Sequence, residues 1–371
     1  MRLLDRYLLR ELLIPLGYSL GGFLVFWISF NLFSRLADFQ EHYLTVGDVV
    51  EYYAVTLPEM LGVVLPIALL LALLYALTHH ARHHELTAMR AAGISLWRLT
   101  LPYLAVGLVF SAALFVVNEI WVPQSVARAD EILNRHGAGQ DATRDWQQNV
   151  NFINSRDNRS WTIGQYNPKK REMKTVHLDW HLTDGSRRDI YAESARFEDG
   201  AWIFSNVQDW LYKTVQDNTP RLTMTNRLAL TGFSEVPGWI ASEIKINNLS
   251  LVKAARRAQI PIRDILNYLR LHPDLSAVQK AKIFTQLHGR LAAPWTCLVV
   301  VLIAIPFGAP SGRRNVFVGV ASSIFICFIY FIVQQTGLTL GTGGKLPPLV
   351  AAWLPNLLFG GTGILMTMRV R

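Results

Sequence analysis

Four histidines near residue 80 are the clearest candidates in this sequence for binding a metal ion. His79 and His83 are four residues apart, as are His80 and His84, so each pair would lie on one face of a helix. Such pairs are typical of zinc ligands, but no carboxylate or thiol is an obvious further ligand. The alternative is a partly cationic stretch at the end of an apolar segment. We favour this alternative, and we expect no metal or other cofactor in this chain.

A second segment, residues 341–345 (Gly-Thr-Gly-Gly-Lys), resembles the end of a phosphate-binding loop. The first glycine of that pattern would fall on Thr339, and Leu346 follows the lysine where the pattern has Ser or Thr. The segment also lies between two apolar stretches instead of between a strand and a helix. We expect no nucleotide site here and see no catalytic group of residues elsewhere, so any ATP and Mg²⁺ would be used by another chain.

The elements around these residues are dominated by long apolar stretches. Hydrophobic residues make up 51% of the 371 residues and charged residues only 17%, which is too apolar for an ordinary soluble protein. A bilayer core is crossed by about 20 helical residues. Six stretches are long enough: residues 12–33, 54–78, 99–121, 291–309, 315–338 and 348–367. We predict six transmembrane helices, the fourth beginning further back, near Ala277. Cys297 and Cys327 lie inside these stretches and are interpreted as packing residues.

The positive charge of the chain predicts its orientation. A net charge of +9 is also typical of nucleic-acid binders, but here the basic residues flank apolar stretches, so anionic lipid is the better partner. Short loops rich in Lys and Arg stay in the cytoplasm. The residues that count are Arg2, Arg6, Arg10, Arg82, Arg90, Arg98, Arg313, Arg314, Arg369 and Arg371. They predict that both termini are cytoplasmic and that residues 122–275 lie outside.

That long outside segment predicts a β domain between spans three and four. From about residue 145 to 247 it shows short alternating strands separated by turn residues, typical of a sandwich, jelly roll or open barrel. Asp199-Gly200 predicts a hairpin turn. The flanks, 122–136 and 250–273, look helical. The predicted domains are therefore residues 1–121, 122–275 and 276–371.

Five short motifs, in order along the chain, resemble those of the LptF/LptG (YjgP/YjgQ) family of lipopolysaccharide export permeases. The most specific is Glu-Leu-Thr-Ala-Met-Arg-Ala-Ala-Gly-Ile-Ser at residues 85–95, followed by Leu-Trp-Arg, which is similar to the family's cytoplasmic coupling helix. The others lie at residues 4–7, 195–207, 290–308 and 352–356. The similarity covers essentially the whole chain, including the β domain between spans three and four.

This resemblance implies a permease subunit of an ABC-type exporter in the bacterial inner membrane. Such a subunit extracts lipopolysaccharide from the outer leaflet and passes it to periplasmic β jelly rolls. The expected partners are a paralogous permease subunit, a cytoplasmic LptB-like ATPase dimer, and periplasmic LptC-like and LptA-like proteins. The chain itself would be a non-catalytic transporter subunit. Residues 5–7 and 34–38 favour the LptG type.

The resemblance also indicates which residues would couple the permease to the ATPase. Glu85 holds the position of the carboxylate that meets a basic residue of the ATPase, although a first-turn carboxylate is also favoured by the helix dipole. Gly93 could permit a close approach or simply cap the helix. The predicted coupling residues, on a helix of about residues 82–97, are Glu85, Leu86, Met89, Arg90, Ala92 and Gly93.

Four residues are predicted to contact lipopolysaccharide. Arg35 and Arg290 lie at the outer ends of spans one and four, where an Arg side chain suits the phosphates of lipid A. A snorkelling side chain or an Arg35–Asp38 pair is the alternative for Arg35. Trp202 and Phe204 would be plain core in most β sandwiches. In the resembled family the jelly-roll interior holds acyl chains, so both roles stay open.

Two other classes of function also stay open. The first is a mechanotransmitting ABC membrane subunit that moves no lipid, for which neutralising Arg35 and Arg290 should be harmless. The second is a membrane-anchored assembly or binding protein without an ATPase, for which reversing the charge of Glu85 should be harmless.

If the chain is a lipid exporter, spans one and five would be the gate through which lipid enters, by analogy with the family.

Overall fold

The computed structural model describes residues 3–133, 135–136, 146–154, 156–182, 184–213, 220–247, 260–273, 275–308 and 316–369. The chain separates into two compact units. Unit 1 comprises Met1–His136 and Ala277–Arg371, and unit 2 comprises Gly137–Ser276. Of the residues used above to orient the spans, Arg2, Arg313, Arg314 and Arg371 lie outside the described residues, as does the stretch 248–259 of the predicted helical flank.

Unit 1 is helical. Its elements are α1 (Leu3–Glu41), α2 (Val46–Arg82), α3 (Glu85–Ala91), α4 (Leu96–Val116), a π-helical turn (Val117–Trp121), α5 (Val122–Leu133), α8 (Ala277–Ala292), a 3₁₀ turn (Ala293–Trp295), α9 (Thr296–Gly308), α10 (Val316–Thr342) and α11 (Pro348–Arg369). The two helices between α5 and α8 in chain order, α6 (Pro237–Asn247) and α7 (Ile262–Leu271), belong to unit 2. Among the described residues, six helical stretches are long and apolar enough to cross a membrane, which confirms the predicted spans.

Two helices of unit 1, α2 and α4, begin with a side-chain cap. The Thr45 side chain accepts a hydrogen bond from the Asp48 amide, and the Asp48 carboxylate accepts one from the Thr45 amide at 3.0 Å. This reciprocal capping box satisfies two backbone donors at the start of α2. Ser95 caps α4 in a simpler way, because its hydroxyl accepts from the Arg98 amide at 3.3 Å. The caps define where the helices on either side of α3 begin.

The core of unit 1 forms around α2 and α9. Leu69, Leu73 and Leu77 of α2 are buried against Val301 and Ile305 of α9 in one apolar cluster. The two backbones come close at Gly308, which has no side chain. A Cβ added there would lie only 2.6 Å from the Leu77 Cβ. In contrast, α1 and α10 carry exposed apolar side chains, among them Phe26, Phe30, Phe325 and Phe328. These side chains suit lipid or another membrane helix.

The fourth span is interrupted where α8 meets α9. Pro294 lies in the 3₁₀ turn between them and lacks the N–H that a continuous helix would use. Next to this turn, the Ala292 carbonyl accepts a hydrogen bond from the Asn356 side-chain amide of α11 at 2.8 Å. The Tyr330 hydroxyl, on α10, donates to Asn356 at 2.7 Å and lies 2.8 Å from the Thr296 hydroxyl. A polar network therefore ties the break to the last two spans.

Unit 2 contains one antiparallel sheet with the consecutive strand order β1-β2-β3-β4-β5-β6. The strands are β1 (Gln147–Asn154), β2 (Arg159–Asn167), β3 (Glu172–His181), β4 (Arg187–Glu198), β5 (Ala201–Tyr212) and β6 (Arg221–Leu230). Glu198 pairs with Ala201, and the intervening Asp199 and Gly200 have φ values of 48° and 80°. The predicted hairpin is thus present, and the prediction of an inserted β domain is confirmed.

Among the described residues, two helices follow the sheet in unit 2, α6 (Pro237–Asn247) and α7 (Ile262–Leu271). Helix α7 lies in the predicted helical flank, but α6 lies within residues 145–247, where the sequence predicted strands. Trp239, Ile240 and Ile244 of α6 are buried against one face of the sheet, together with Trp161 and Phe204. The rings of Phe152 and Trp239 lie 5.1 Å apart. The apolar face of the sheet is therefore covered by a helix of the same chain.

Candidate functional site

The short helix α3 presents the predicted coupling residues in two groups. Leu86 is buried, and Met89 packs against the apolar cluster of unit 1. Arg90, Ala92 and Gly93 are exposed. The helix is thus anchored by its apolar side and offers small residues and one Arg side chain to its surroundings.

Gly93 ends α3 in the way expected of a C-cap. Its φ of +85° is in the left-handed region, its N–H donates to the Arg90 carbonyl at 2.9 Å, and the Ile94 N–H donates to the Met89 carbonyl at 3.2 Å. This is the Schellman pattern, with Met89 and Ile94 both packed on the core. A substitution here would strain the backbone, because side chains other than glycine rarely adopt this conformation.

Glu85 is held by two side chains from other helices. The Tyr7 hydroxyl of α1 donates to its Oε2 atom at 2.9 Å, and His80 Nδ1 of α2 lies 2.6 Å from the same atom. The Glu85 side chain remains 30% exposed. The carboxylate is therefore positioned by its own chain and still accessible from outside it.

This environment favours the ionised form of Glu85. Burial raises the pKa of the carboxyl. The hydrogen bonds from His80 and Tyr7 and the nearby His79 together lower the pKa by more than burial raises it, so the pKa lies below its ordinary value. Glu85 therefore carries its charge at neutral pH. A charged, partly exposed carboxylate can meet a basic group on another protein.

A second contact ties the start of α1 to α4. Asp5 and Arg98 form a salt bridge of 2.8 Å between side chains that are mostly shielded from solvent. Leu8 and Leu12 of α1 are buried in the same apolar cluster as Leu86. The first turns of α1 therefore contact α3 through Tyr7 and α4 through Asp5.

Arg35 lies near the other end of α1. Its Nη1 atom donates to the Tyr52 hydroxyl at 2.7 Å, and its guanidinium lies 5.9 Å from the centre of the Tyr52 ring. Asp38, the alternative partner considered from the sequence, is exposed. Arg35 is thus oriented by an aromatic residue of α2.

Arg290 has a more enclosed position than Arg35. It is 7% exposed, donates from Nη2 to the Asn118 carbonyl at 2.9 Å and lies 3.7 Å from the Glu119 carboxylate. Both neighbours belong to the π-helical turn of span three, where the widened helix frees backbone carbonyls. Arg290 therefore joins spans three and four in this conformation.

Trp202 and Phe204 lie within the core of unit 2. Both are completely buried, and the Trp202 indole N–H donates to the Glu235 carbonyl at 2.7 Å. The Trp161 ring lies 6.2 Å from Phe204 and 6.5 Å from Trp202. Their predicted contact with acyl chains stays a prediction, and such a contact would require the covering helix α6 to move.

Comparison with known families supplies the assignment that the geometry alone does not. The family model described as lipopolysaccharide export system permease LptF/LptG matches residues 6–369. The chain belongs to the LptF/LptG family. It is accordingly a multi-pass inner-membrane protein with a lipopolysaccharide transport permease role, a transporter subunit and not an enzyme.

Curated relatives include lipopolysaccharide export system permease protein LptF from Escherichia coli strain K12, from Escherichia coli O157:H7 and from Shigella flexneri. Each is 23% identical over 381 residues, covering 98% of this chain and 94% of the relative. The family prediction is confirmed. The preference for the LptG type within the LptF/LptG family is not confirmed, since these relatives are named LptF.

Sequence reasoning missed the two side chains that contact Glu85, the predicted coupling residue of this LptF/LptG subunit. Tyr7 is 78 residues away from Glu85, and His80 was considered only as a metal ligand or an interfacial cation. Within the described ranges, no three His, Cys, Asp or Glu side chains are grouped to hold a metal ion. Tyr7 ends the motif at residues 4–7, which was the available signal that this position has a role.

Proposed function

We propose that this LptF/LptG subunit extracts lipopolysaccharide from the outer leaflet of the inner membrane and passes it to periplasmic jelly-roll proteins. It would act with a paralogous permease subunit and a cytoplasmic ATPase dimer that hydrolyses ATP. One observation carries the proposal. The continuous helix α1 contacts Glu85 of the coupling helix through Tyr7 and bears Arg35 28 residues later, about 42 Å along the axis.

At the cytoplasmic end of α1, Glu85 would contact the ATPase. A basic residue of the ATPase meets the carboxylate, while exposed Ala92 and Gly93 let the partner approach closely. Leu86 and Met89 anchor α3 in the apolar cluster that α1, α2 and α4 share. Force that the ATPase applies to the exposed side of α3 would therefore move this cluster. In this orientation both termini are cytoplasmic and unit 2 is periplasmic.

At the outer end, Arg35 would bind a phosphate of lipid A. A guanidinium has five N–H donors in a planar fork, and the Tyr52 hydroxyl takes one of them. A bidentate phosphate contact uses two. Arg290 would join this contact once the π-helical turn of span three releases it, with spans one and five as the gate.

The apolar face of unit 2 would then hold the acyl chains. Trp202, Phe204 and Trp161 provide a continuous apolar surface along β2 and β5. Helix α6 covers this surface in the present conformation, so acyl chains would replace Trp239, Ile240 and Ile244. Lipid would leave unit 2 toward LptC-like and LptA-like partners.

Photocrosslinking tests the proposal. The assembled complex carries benzoylphenylalanine at position 35, 202 or 18 and is incubated with radiolabelled lipopolysaccharide, with or without ATP. Position 18 is the control, because Tyr18 is 80% exposed on the same helix, closer to its amino end. We expect adducts at positions 35 and 202 whose yield changes with ATP, and an ATP-independent background at position 18.

The absence of any ATP-dependent adduct at positions 35 and 202 would contradict lipid export. Unchanged transport in Arg35→Gln and Arg290→Gln would favour a mechanotransmitting subunit that moves no lipid. If Glu85→Arg still assembles and functions normally, an assembly protein without an ATPase is the better description.

A further inference from the structure

The Oε2 atom of Glu85 is the meeting point of three helices. It takes the Tyr7 hydroxyl of α1 at 2.9 Å and His80 Nδ1 of α2 at 2.6 Å, and Glu85 itself begins α3. Both contacts fall on Oε2, and among the residues that the structure describes Oε1 takes no part in this network. Because the side chain is partly exposed, Oε1 can serve an external partner while Oε2 is held internally.

His80 is built as a fixed donor to this oxygen. Its side chain is completely buried, and among the described residues its Nε2 atom has no hydrogen-bond partner. A proton on Nε2 would thus be a buried, unsatisfied donor, which is costly. The tautomer with its proton on Nδ1 avoids that cost and points the proton at Glu85. This use of His80 explains one of the four histidines without a metal ion.

Tyr7 links the same oxygen to the first span. Its ring lies 5.6 Å from the His80 ring, so it packs on one donor while its hydroxyl supplies the other. Leu8, Leu12 and Leu16 repeat every four residues along α1 and are buried, which places the helix against the core next to α3. The hydroxyl of Tyr7 is thus a polar contact between α1 and the coupling helix.

We propose that Tyr7 and His80 are positioning residues for the coupling carboxylate, and that Tyr7 transmits movement of α3 directly to the first span. The inference rests on the proposed function. His80 fixes the direction of the carboxylate from α2, and Tyr7 makes α1 follow it. Energy from the ATPase thus reaches α1 without first passing through α2 or α4.

The substitution Tyr7→Phe tests this inference, because it removes the hydroxyl and keeps the ring. Tyr18→Phe on the same helix is the matched control. Each variant is assembled with its permease and ATPase partners in proteoliposomes, and the lipopolysaccharide released per ATP hydrolysed is measured. A hydrogen bond to a charged group is lost, so we expect a ratio at least about tenfold lower for Tyr7→Phe. Tyr18→Phe should match the unmodified protein.

A pH profile separates positioning from a merely structural role. Binding of the ATPase needs ionised Glu85, so binding is present above the lowered pKa of that carboxyl and is lost as the pH falls through it. The groups that lower this pKa are His80, Tyr7 and His79. Removing the Tyr7 hydroxyl raises the pKa, so the acid limb of ATPase binding should move to higher pH. Tyr18→Phe should leave the limb in place.

The outcomes distinguish this inference from the proposed function. If Glu85→Ala abolishes ATPase binding but Tyr7→Phe matches Tyr18→Phe in both the release ratio and the acid limb, the role of Tyr7 is wrong and the proposed function stands. If the unmodified complex releases no lipopolysaccharide with ATP, the proposed function itself fails. His80→Ala should repeat the shift of the acid limb, and an unshifted limb in that variant would overturn the role of His80.

Discussion

Glu235 is the most enclosed charged side chain of the β unit among the residues the structure describes. Its carboxylate is fully buried and accepts hydrogen bonds from Arg159 at 2.6 Å, Asn154 at 2.8 Å and the Trp161 indole at 3.2 Å. The Arg159 guanidinium also lies 4.0 Å from the centre of the Phe233 ring. Glu235 thus connects β1 and β2 to the segment that leads into α6.

Replacing Glu235 by Ala should loosen this part of the β unit. Breaking a buried ion pair typically costs about 3 to 5 kcal/mol, and we expect a value near the lower limit because Asp157 still lies 3.2 Å from Arg159. The measurement is hydrogen exchange, by mass spectrometry, of peptides that cover β1 and β2 in the full chain. Faster exchange there would report the lower free energy of local opening.

Glu198→Ala is the control for that experiment. Glu198 forms an exposed pair with Arg196 at 3.6 Å, and exposed pairs contribute about 0 to 1 kcal/mol. The variant should exchange like the unmodified protein. Equal protection of β1 and β2 in Glu235→Ala and Glu198→Ala would show that the buried pair does not stabilise the sheet.

At the scale of single residues, the sequence predicts which side chains matter better than it predicts which residues they contact. The Asp199-Gly200 turn was predictable because it depends on local φ values. Arg35 was recognised as a costly charge at the end of a span, but its partner Tyr52 was not, because that contact depends on how α1 packs on α2. Glu235 gave no signal, since a lone Glu side chain is normally exposed.

Helix α11 is held against α9 by close backbone contact at one glycine. A Cβ added at Gly363 would lie 2.7 Å from the Leu302 carbonyl oxygen. This is a backbone atom, so it cannot move away unless α9 moves as well. Two residues earlier, a Cβ at Gly361 would meet no atom within 4 Å. The two glycines therefore provide a matched pair on one helix.

Gly363→Ala should destabilise the packing of the last span by about 1 to 3 kcal/mol, because the two helices must separate. Gly361→Ala should be neutral or slightly stabilising, since alanine favours a helix more than glycine does. Thermal unfolding of the purified protein in detergent measures both, as a lower midpoint for Gly363→Ala only. Equal midpoints for the two variants would mean that the α9–α11 contact is not as close as described.

At the level of elements, the six spans and the inserted sheet followed from apolar length and from alternation. The break between α8 and α9 was not predicted, since a proline in an apolar stretch can kink, end or simply begin a helix. Of the two helices that follow the sheet, α7 lies in the predicted helical flank, whereas α6 lies within residues 145–247, where strands were predicted. Burial of Trp239 and Ile240 against the sheet depends on tertiary packing that no local pattern encodes.

The whole molecule combines a membrane unit with a β unit, and each has its own core. The family resemblance supplied the functional meaning of both, because composition alone indicates only a multi-pass membrane protein. What connects the units to function is their orientation. The proposed mechanism requires α3 to face the ATPase in the cytoplasm and the β unit to face the periplasm.

Thiol labelling in intact cells tests this orientation most directly. Cys297 and Cys327 are first replaced by Ser, and a single cysteine is placed at Thr87 of α3 or at Lys170 in the turn between β2 and β3, both exposed. A membrane-impermeant maleimide applied from the periplasmic side should label Lys170→Cys at once, and Thr87→Cys only after the cells are opened. Labelling of Thr87→Cys in intact cells would contradict the proposed coupling of this permease to a cytoplasmic ATPase.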